Sequence, residues 1–285
     1  MTQILRIGTR SSPLALAQAR LVADALAAHG VKTEFVPITT AGDAIQDRPL
    51  AEFGGKALWT KELDRALGER RTDLSVHSMK DVETLRPDHL TIVAMLARAD
   101  TSERLIGAES LDALPRGARI GTSSPRRRAQ LLARRPDLVT LPIRGNIGTR
   151  MAKVARGEFD ATLLAAAGLD RLGITAGVKL DLMPAPAQGA IGIEILAERA
   201  DLKALLGEID HRETHDAVDD ERAFLAALGG DCHSAVAAQA AGGLVRAELL
   251  SPNGDEIRAG EGAPEALAER LLGEASPALR ALFRR

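Results

Sequence analysis

The chain has 285 residues, 45% of them hydrophobic and 27% charged, with a formal net charge of −2. That composition belongs to a folded globular protein too long for one core, without the basic field or, at 2% aromatic, the stacking rings of a nucleic-acid binder. Cys232 is the only cysteine, which excludes internal disulfides and multi-cysteine metal sites.

The N-terminal Met1–Arg6 segment lacks the basic and apolar regions of a secretory leader, and no apolar run nears the ~18 residues of a membrane span. A cytoplasmic protein with no membrane partner is therefore expected. Ile4 to Gly8 reads as a strand. Ser12 is a good N-cap and Pro13 a good first helical residue; Leu14, Ala17, Leu21 and Ala25 then share one helical face, and Gly30 ends the helix. Thr33 to Ile38 is the next strand, so the chain opens as a βαβ unit with a mostly parallel sheet. Residues 39–57 lack periodicity and contain Gly42, Pro49, Gly54 and Gly55, which reads either as a lid over a site or as a surface insertion. A helix over Thr60–Glu69 leads to the strand Asp73–Val76, and Leu90–Leu96 is a further strand. The polar run Arg98–Arg104 reads as a crossover to a second domain.

That second domain repeats the opening. Ala118–Gly121 is a strand, followed by a helix to about Arg134, and Gly121-Thr-Ser-Ser-Pro125 matches Gly8-Thr-Arg-Ser-Ser-Pro13 in its Gly-Thr turn, Ser cap and Pro start. Strands at Leu138–Ile143 and Asp160–Ala165, the loop Arg144–Arg150 and a short helix at Leu169–Leu172 follow. Ala190–Leu196 reads as a strand returning to the first lobe. A helix from Arg212 to Leu228, short strands at Val236–Ala240, Leu244–Leu250 and Glu256–Ala259, and a C-terminal helix make a small module. The expected fold is α/β: two similarly built lobes with mixed, mostly parallel sheets around a cleft, like periplasmic binding proteins, plus a small C-terminal α+β domain. Lobe 1 is expected over residues 1–98 and 190–208, lobe 2 over 99–189, and the module over 209–285.

The charges at strand ends point to a ligand. His77-Ser-Met-Lys80-Asp81 follows a strand, and ligands of open α/β sheets bind beyond the carboxyl ends of strands; a solvated Lys-Asp pair is the plainer alternative. Arg126, Arg127 and Arg128 lie in the first turn of a helix, where cations oppose the dipole at ~0.3–1 kcal/mol each when exposed. A bound anion would reverse that sign, because guanidiniums, free N–H groups and dipole all favour it. Arg10 and Arg144 occupy equivalent places, Arg150 follows, and Gly145 and Gly148 allow close backbone approach. Together they describe a ligand with several carboxylates or phosphates, and a solvated basic face is the competing reading. No G-x-x-x-x-G-K-[ST] or G-x-G-x-x-G sequence is present.

Four motifs in order, His77-Ser-Met-Lys-Asp81, Gly121-Thr-Ser-Ser-Pro-Arg-Arg127, Arg144-Gly-Asn-Ile-Gly-Thr-Arg150 and Gly229-Gly-Asp-Cys232, closely resemble those of the porphobilinogen deaminase (hydroxymethylbilane synthase) family. The resemblance spans nearly the whole chain. It implies a transferase that joins four porphobilinogen units head to tail, releasing ammonia, and hydrolyses off a linear tetrapyrrole. Growth would occur on a dipyrromethane cofactor held by Cys232 as a thioether. The resemblance further assigns Asp81 and Lys80 to catalysis, and Arg126, Arg127, Ser123, Thr122, Arg144, Gly145, Asn146 and Gln188 to the cofactor. Arg10, Ser12, Arg150, Arg171 and Lys56 fall to the substrate, with Trp59 neighbouring the lid lysine. The chain departs from the family pattern at Asp231, Ala235, Pro125, Ala57 and Trp59, none of them a charged catalytic position. A monomer acting on a small molecule is expected. The main alternative is a two-lobed anion-binding protein without catalysis, which would have no need of Cys232.

Overall fold

The structure is a computed structural model and describes residues 4–40, 60–229 and 234–283. The expected lid over 39–57, with Lys56, and the loop carrying Cys232 fall wholly or largely outside the described residues. By its internal contacts the chain divides into two compact units, residues 1–99 with 189–216 and residues 100–188 with 217–285.

The first unit opens as read. Strand β1 (Ile4–Arg10) runs into helix α1 (Pro13–Ala28), whose N-cap Ser12 accepts from the Ala15 N–H at 3.2 Å, and β2 (Lys32–Ile38) returns parallel to β1. Helix α2 (Lys61–Gly68) leads to β3 (Leu74–Ser78), which pairs parallel with β1. A 3₁₀ turn, Met79–Asp81, follows, and then β4 (Leu90–Met95). The sheet is completed by a strand from far along the chain (Ile191–Leu196), antiparallel to both β3 and β4, giving the order β2-β1-β3-returning strand-β4. The period-2 alternation sorts the two faces of this sheet. Leu74, Val76, Ile191, Ile193 and Ile195 join Leu5, Ile7, Val22 and Leu26 of β1 and α1 in one core. Ser75, His77, Gly192 and Glu194 are the alternate residues of the same strands, on the other face. His77, expected beyond the strand, is therefore one of its buried residues.

The second unit contains the same plan. The order is β7 (Val139–Leu141), β6 (Arg119–Gly121), β8 (Ala161–Ala165), β5 (Glu103–Ile106), β9 (Val178–Leu180). Strands β6, β7 and β8 are parallel and β5 is antiparallel to both its neighbours. In each sheet the antiparallel strand comes directly from a crossing of the chain between the units. Helix α3 (Pro125–Arg134) starts on Ser124, whose side chain accepts from the Arg127 N–H, and packs Leu131 with Leu105, Ile120 and Leu163. Helix α4 (Ile147–Ala155) begins inside the predicted 144–150 loop, because Asn146 caps it by accepting from Thr149 N–H at 2.9 Å. Helix α5 (Ala166–Arg171) follows β8 directly. Two strands were not anticipated, β5 and β9; the polar Arg98–Arg104 crossover in fact ends in β5.

With the returning strand numbered β10, the remainder is helix α6 (Ala200–Gly207), helix α7 (Arg212–Ala227), and an antiparallel sheet of β11 (Val236–Ala241), β12 (Leu244–Leu250) and β13 (Ile257–Gly262), covered by α8 (Pro264–Glu274). This sheet has its own core, in which Phe224 and Leu228 meet Val236, Val245, Leu249, Leu267, Leu271 and Phe283.

Candidate active site

Asp81 closes the 3₁₀ turn at the end of β3, half-buried, beside Lys80. No cation among the described residues lies within ion-pair distance of it, so Lys80 is not its neutralising partner. The turn is held from below. Met79 is 1% exposed and its N–H donates to Ala190 O at 3.2 Å, while Gly192 on β10 lies against its side chain. A Cβ at Gly192 would overlap the Met79 sulfur and stand 2.9 Å from its Cγ. Gly192→Ala is therefore expected to displace the turn that carries Asp81, lowering kcat at least tenfold at a stability cost of ~1–3 kcal/mol. Gly207→Ala, whose Cβ would meet nothing within 4 Å, is the control. Steady-state rates and melting curves of the two variants check this.

Behind the turn lies a charged network that the sequence did not reveal. Glu194 is fully buried and accepts from Arg86 Nε at 2.8 Å and Arg86 Nη2 at 2.9 Å, with His77 Nε2 at 3.0 Å. Arg86 also reaches Asp64 at 2.6 Å and Glu83 at 2.5 Å, and Thr60 donates to Glu83 at 2.8 Å. Burial alone would raise the Glu194 pKa; hydrogen bonds and charge from His77 and Arg86 outweigh it and hold the group at about 2. Asp64 moves the other way, because burial outweighs the pull of Arg86. A lone Glu within the otherwise apolar run Ile191-Gly-Ile-Glu-Ile-Leu196 was the available signal.

In the second unit the first two arginines of α3 are not solvated. Arg126 is 3% and Arg127 7% exposed. Both bind Glu103 of β5, itself fully buried: Oε1 accepts from Arg126 Nη2 at 2.6 Å and Arg127 Nε at 2.9 Å, and Oε2 from Arg127 Nη2 at 2.7 Å. Arg127 Nη1 donates to Leu163 O at 3.0 Å. Burial would raise the Glu103 pKa, and the two guanidiniums reverse that to about 2. The cations at the helix start thus have an internal counter-charge. Arg128, the third of the run, is exposed and turned to Asn253. Gln188 joins the cluster, its amide donating to Thr101 O at 2.7 Å and its oxygen accepting from Arg126 at 3.3 Å.

Several other residues singled out from sequence hold local structure. Ser123 Oγ donates to Ile143 O at 2.8 Å and accepts from Ile143 N–H at 3.1 Å, fastening the β6–α3 turn beside the end of β7. Thr122 Oγ1 accepts from the Ser124 N–H. Gly145 has φ +104°, and a Cβ there would press on Thr149, so the turn before α4 requires glycine. Its carbonyl accepts from Arg150 Nε at 2.8 Å. Arg10 and Ser12 flank the β1–α1 turn. Burial lowers the pKa of Arg144, and that of Arg171 to about 10 against the opposing pull of Asp170. A cation disfavoured by its surroundings is one that an arriving anion stabilises.

Arg126 adds a further sign of a ligand's chemistry. Its Nη groups are bonded to Gln130, Met183, Glu103 and Gln188, yet its Nε–H is buried without an acceptor among the described residues. An unmade hydrogen bond of that kind costs ~1–3 kcal/mol. One orphaned cationic donor and two desolvated guanidiniums, those of Arg144 and Arg171, fit a group bearing several carboxylates. Among the described residues no His/Cys/Asp/Glu cluster has the form of a metal site.

The chain is similar to one known protein family over most of its length. Residues 5–204 match the family model described as "Porphobilinogen deaminase, dipyromethane cofactor binding domain". A porphobilinogen deaminase of Sphingopyxis alaskensis is 55% identical over 98% of this chain and 96% of its own length. Among solved structures, an ancestral cationic amino acid solute binding protein is 17% identical, covering 77% of this chain and 93% of that one with a TM-score of 0.46. The periplasmic VFT2 domain of Bordetella pertussis BvgS is 14% identical over 77% and 90%, with a TM-score of 0.44.

Proposed function

The chain belongs to the porphobilinogen deaminase family, and we propose that its charged residues divide that family's reaction between one carboxylate and a set of guanidiniums. It is a transferase that joins four porphobilinogen units head to tail, releases ammonia at each joining, and hydrolyses off the linear tetrapyrrole hydroxymethylbilane. Its cofactor is dipyrromethane. When bound, that group supplies the pyrrole end on which the product grows, and Cys232 is the residue proposed to hold it. A thiolate is nucleophilic near neutral pH, and the thioether it forms resists the hydrolysis that frees the product.

The observation that carries the reading is that the chain has both a half-buried Asp81, with no ion-pair partner among the described residues, and a set of buried or half-buried guanidiniums. Departure of ammonia breaks the aminomethyl C–N bond and leaves a cationic methylene carbon conjugated with the pyrrole nitrogen. Asp81 stabilises that charge as it develops, and serves the proton needed by the leaving amine. The new C–C bond joins that methylene carbon to the free α-carbon of the terminal pyrrole, from which a proton is lost. Lys80 acts beside Asp81 on a substrate carboxylate. Arg126, Arg127, Arg144 and Gln188, with Ser123, Thr122, Gly145 and Asn146 shaping the loops, hold cofactor carboxylates. Arg10, Ser12, Arg150, Arg171 and Lys56 hold those of incoming substrate. Each unit brings two more carboxylates, and bidentate guanidinium pairing suits them better than ammonium groups do. The protein is proposed to work as a cytoplasmic monomer.

Intact mass of the purified protein tests the core of this. A covalent excess matching two linked pyrroles is expected, lost in Cys232→Ser together with turnover. A folded chain at its bare sequence mass that still makes product would overturn the assignment of Cys232.

A further inference from the structure

Glu103 has no role in the reading above, yet its geometry decides how two proposed ligand-binding arginines are presented. It lies at the start of β5, on the same face as Leu105, under helix α3. Both of its oxygens are taken by guanidiniums, and Gln188 Nε2 approaches Oε1 at 3.3 Å. The pair with Arg127 is bidentate, through Nε and Nη2, which fixes the plane of that guanidinium as well as its distance. With Nη1 bonded to Leu163 O, the inner edge of Arg127 is fully occupied, and one hydrogen on each Nη nitrogen is left over. Arg126 is tied to the same carboxylate while its Nε–H has no acceptor among the described residues. Gln130, which accepts from Arg126 Nη1 at 3.1 Å, donates in turn to Glu248 at 2.8 Å. One buried anion thus orients two cations.

We propose that Glu103 is a positioning residue for cofactor loading: by holding Arg126 through Nη2 and Arg127 along its Nε–Nη2 edge it fixes both guanidiniums and aims the donors left over, Arg126 Nε–H and one hydrogen on each Nη of Arg127, at carboxylates of the bound pyrroles. This rests on the reading that those arginines hold such carboxylates. A side chain that merely blocked the arginines until ligand displaced it would have the same contacts and the opposite effect when removed. A side chain that only stabilised the fold would change melting and nothing else.

Apoprotein from cells that make no porphobilinogen separates these roles. It is mixed with porphobilinogen, and the rate of mass gain is followed by intact-mass measurement against porphobilinogen concentration. Glu103→Asp keeps the charge and shortens the reach. It is expected to raise the half-saturating concentration about tenfold while keeping most of the maximal rate and a melting midpoint near wild type. Glu103→Gln, which loses the charge and turns an amide towards guanidinium, is expected to raise it about a hundredfold. If Glu103→Gln does not fold, Glu103→Asp alone carries the test. Loading by a folded variant at the wild-type half-saturation, or at a lower one, overturns the proposal. Arg127→Leu guards the premise: wild-type loading in that variant would remove the arginines from ligand binding, whatever Glu103 does.

Discussion

Replacing Asp81 with alanine is expected to lower turnover about a thousandfold while leaving the melting curve of the first unit unchanged. The magnitude comes from one interaction. A carboxylate ~4 Å from a developing positive charge, at an effective dielectric of ~20, contributes up to about 4 kcal/mol, and each 1.36 kcal/mol is tenfold in rate. The structure favours a value near the upper end, because no cation among the described residues is close enough to share Asp81 in an ion pair. Stability should be spared because the 3₁₀ turn is anchored by buried Met79, not by the exposed part of Asp81. Asp81→Asn separates charge from hydrogen bonding. It keeps the shape and most hydrogen-bonding capacity, yet should lose nearly as much as alanine if the charge is what acts. Single-turnover release of ammonia is the measurement. Retention of a tenth or more of the wild-type rate by either variant would mean that Asp81 is not the counter-charge, and the search would move to other carboxylates near β3.

Why the site was partly legible follows from the range of the forces involved. Helix starts are local: Ser12 with Pro13 and Ser124 with Pro125 announce α1 and α3 within a few residues, and both caps are formed. The repeat of that device, with Gly-Thr turns, was enough to expect two similarly built lobes, and the two five-stranded sheets do share one strand plan. What was missed depends on partners far along the chain. Glu103 and Arg104 looked like a polar crossover because nothing nearby compensates a buried charge. The compensation comes from Arg126 and Arg127, more than twenty residues later in sequence. His77 was placed beyond its strand for the same reason, its buried partner Glu194 being 117 positions away. Asn146, assigned to the cofactor by resemblance, also caps α4 with its side chain, a role that asks for the same kind of oxygen as a ligand contact. The sequence thus showed which charges were too many for a surface. It did not show which were already paired within the fold.

Arg86→Leu is the second large effect, and here it is stability that should change. The guanidinium is shared among Glu194, Asp64 and Glu83, so its removal leaves three carboxylates together, one of them fully buried. Breaking a buried pair on one side costs ~3–5 kcal/mol. At ~2–4 °C per kcal/mol, that lowers the melting midpoint by about 10 °C at neutral pH. The dependence on pH tells this apart from lost packing. In the wild type, Glu194 sits at about 2 against an ordinary 4.5. Its folded pKa is depressed, so its contribution is fully present above pH ~4.5 and is lost as pH falls towards 2. Glu103, also at about 2, adds to the same acid loss. In Arg86→Leu the hydrogen bond and charge from His77 remain, but the part of the depression due to Arg86 is gone, so the folded pKa of Glu194 rises from its wild-type position and less stability is lost on acidification. The gap between variant and wild type should therefore narrow steadily below pH ~4.5, read from melting midpoints across pH 7 to 3. A gap constant across that range would assign the loss to the missing side chain's packing and leave the charge network without a measurable role. Because the network joins Thr60, at the start of α2, to the strand that ends in the Asp81 turn, the same variant should also lose turnover at temperatures where it is fully folded. Such a loss, with the mass excess of the bound cofactor retained, would tie this buried cluster to the placement of Asp81 and not to cofactor attachment.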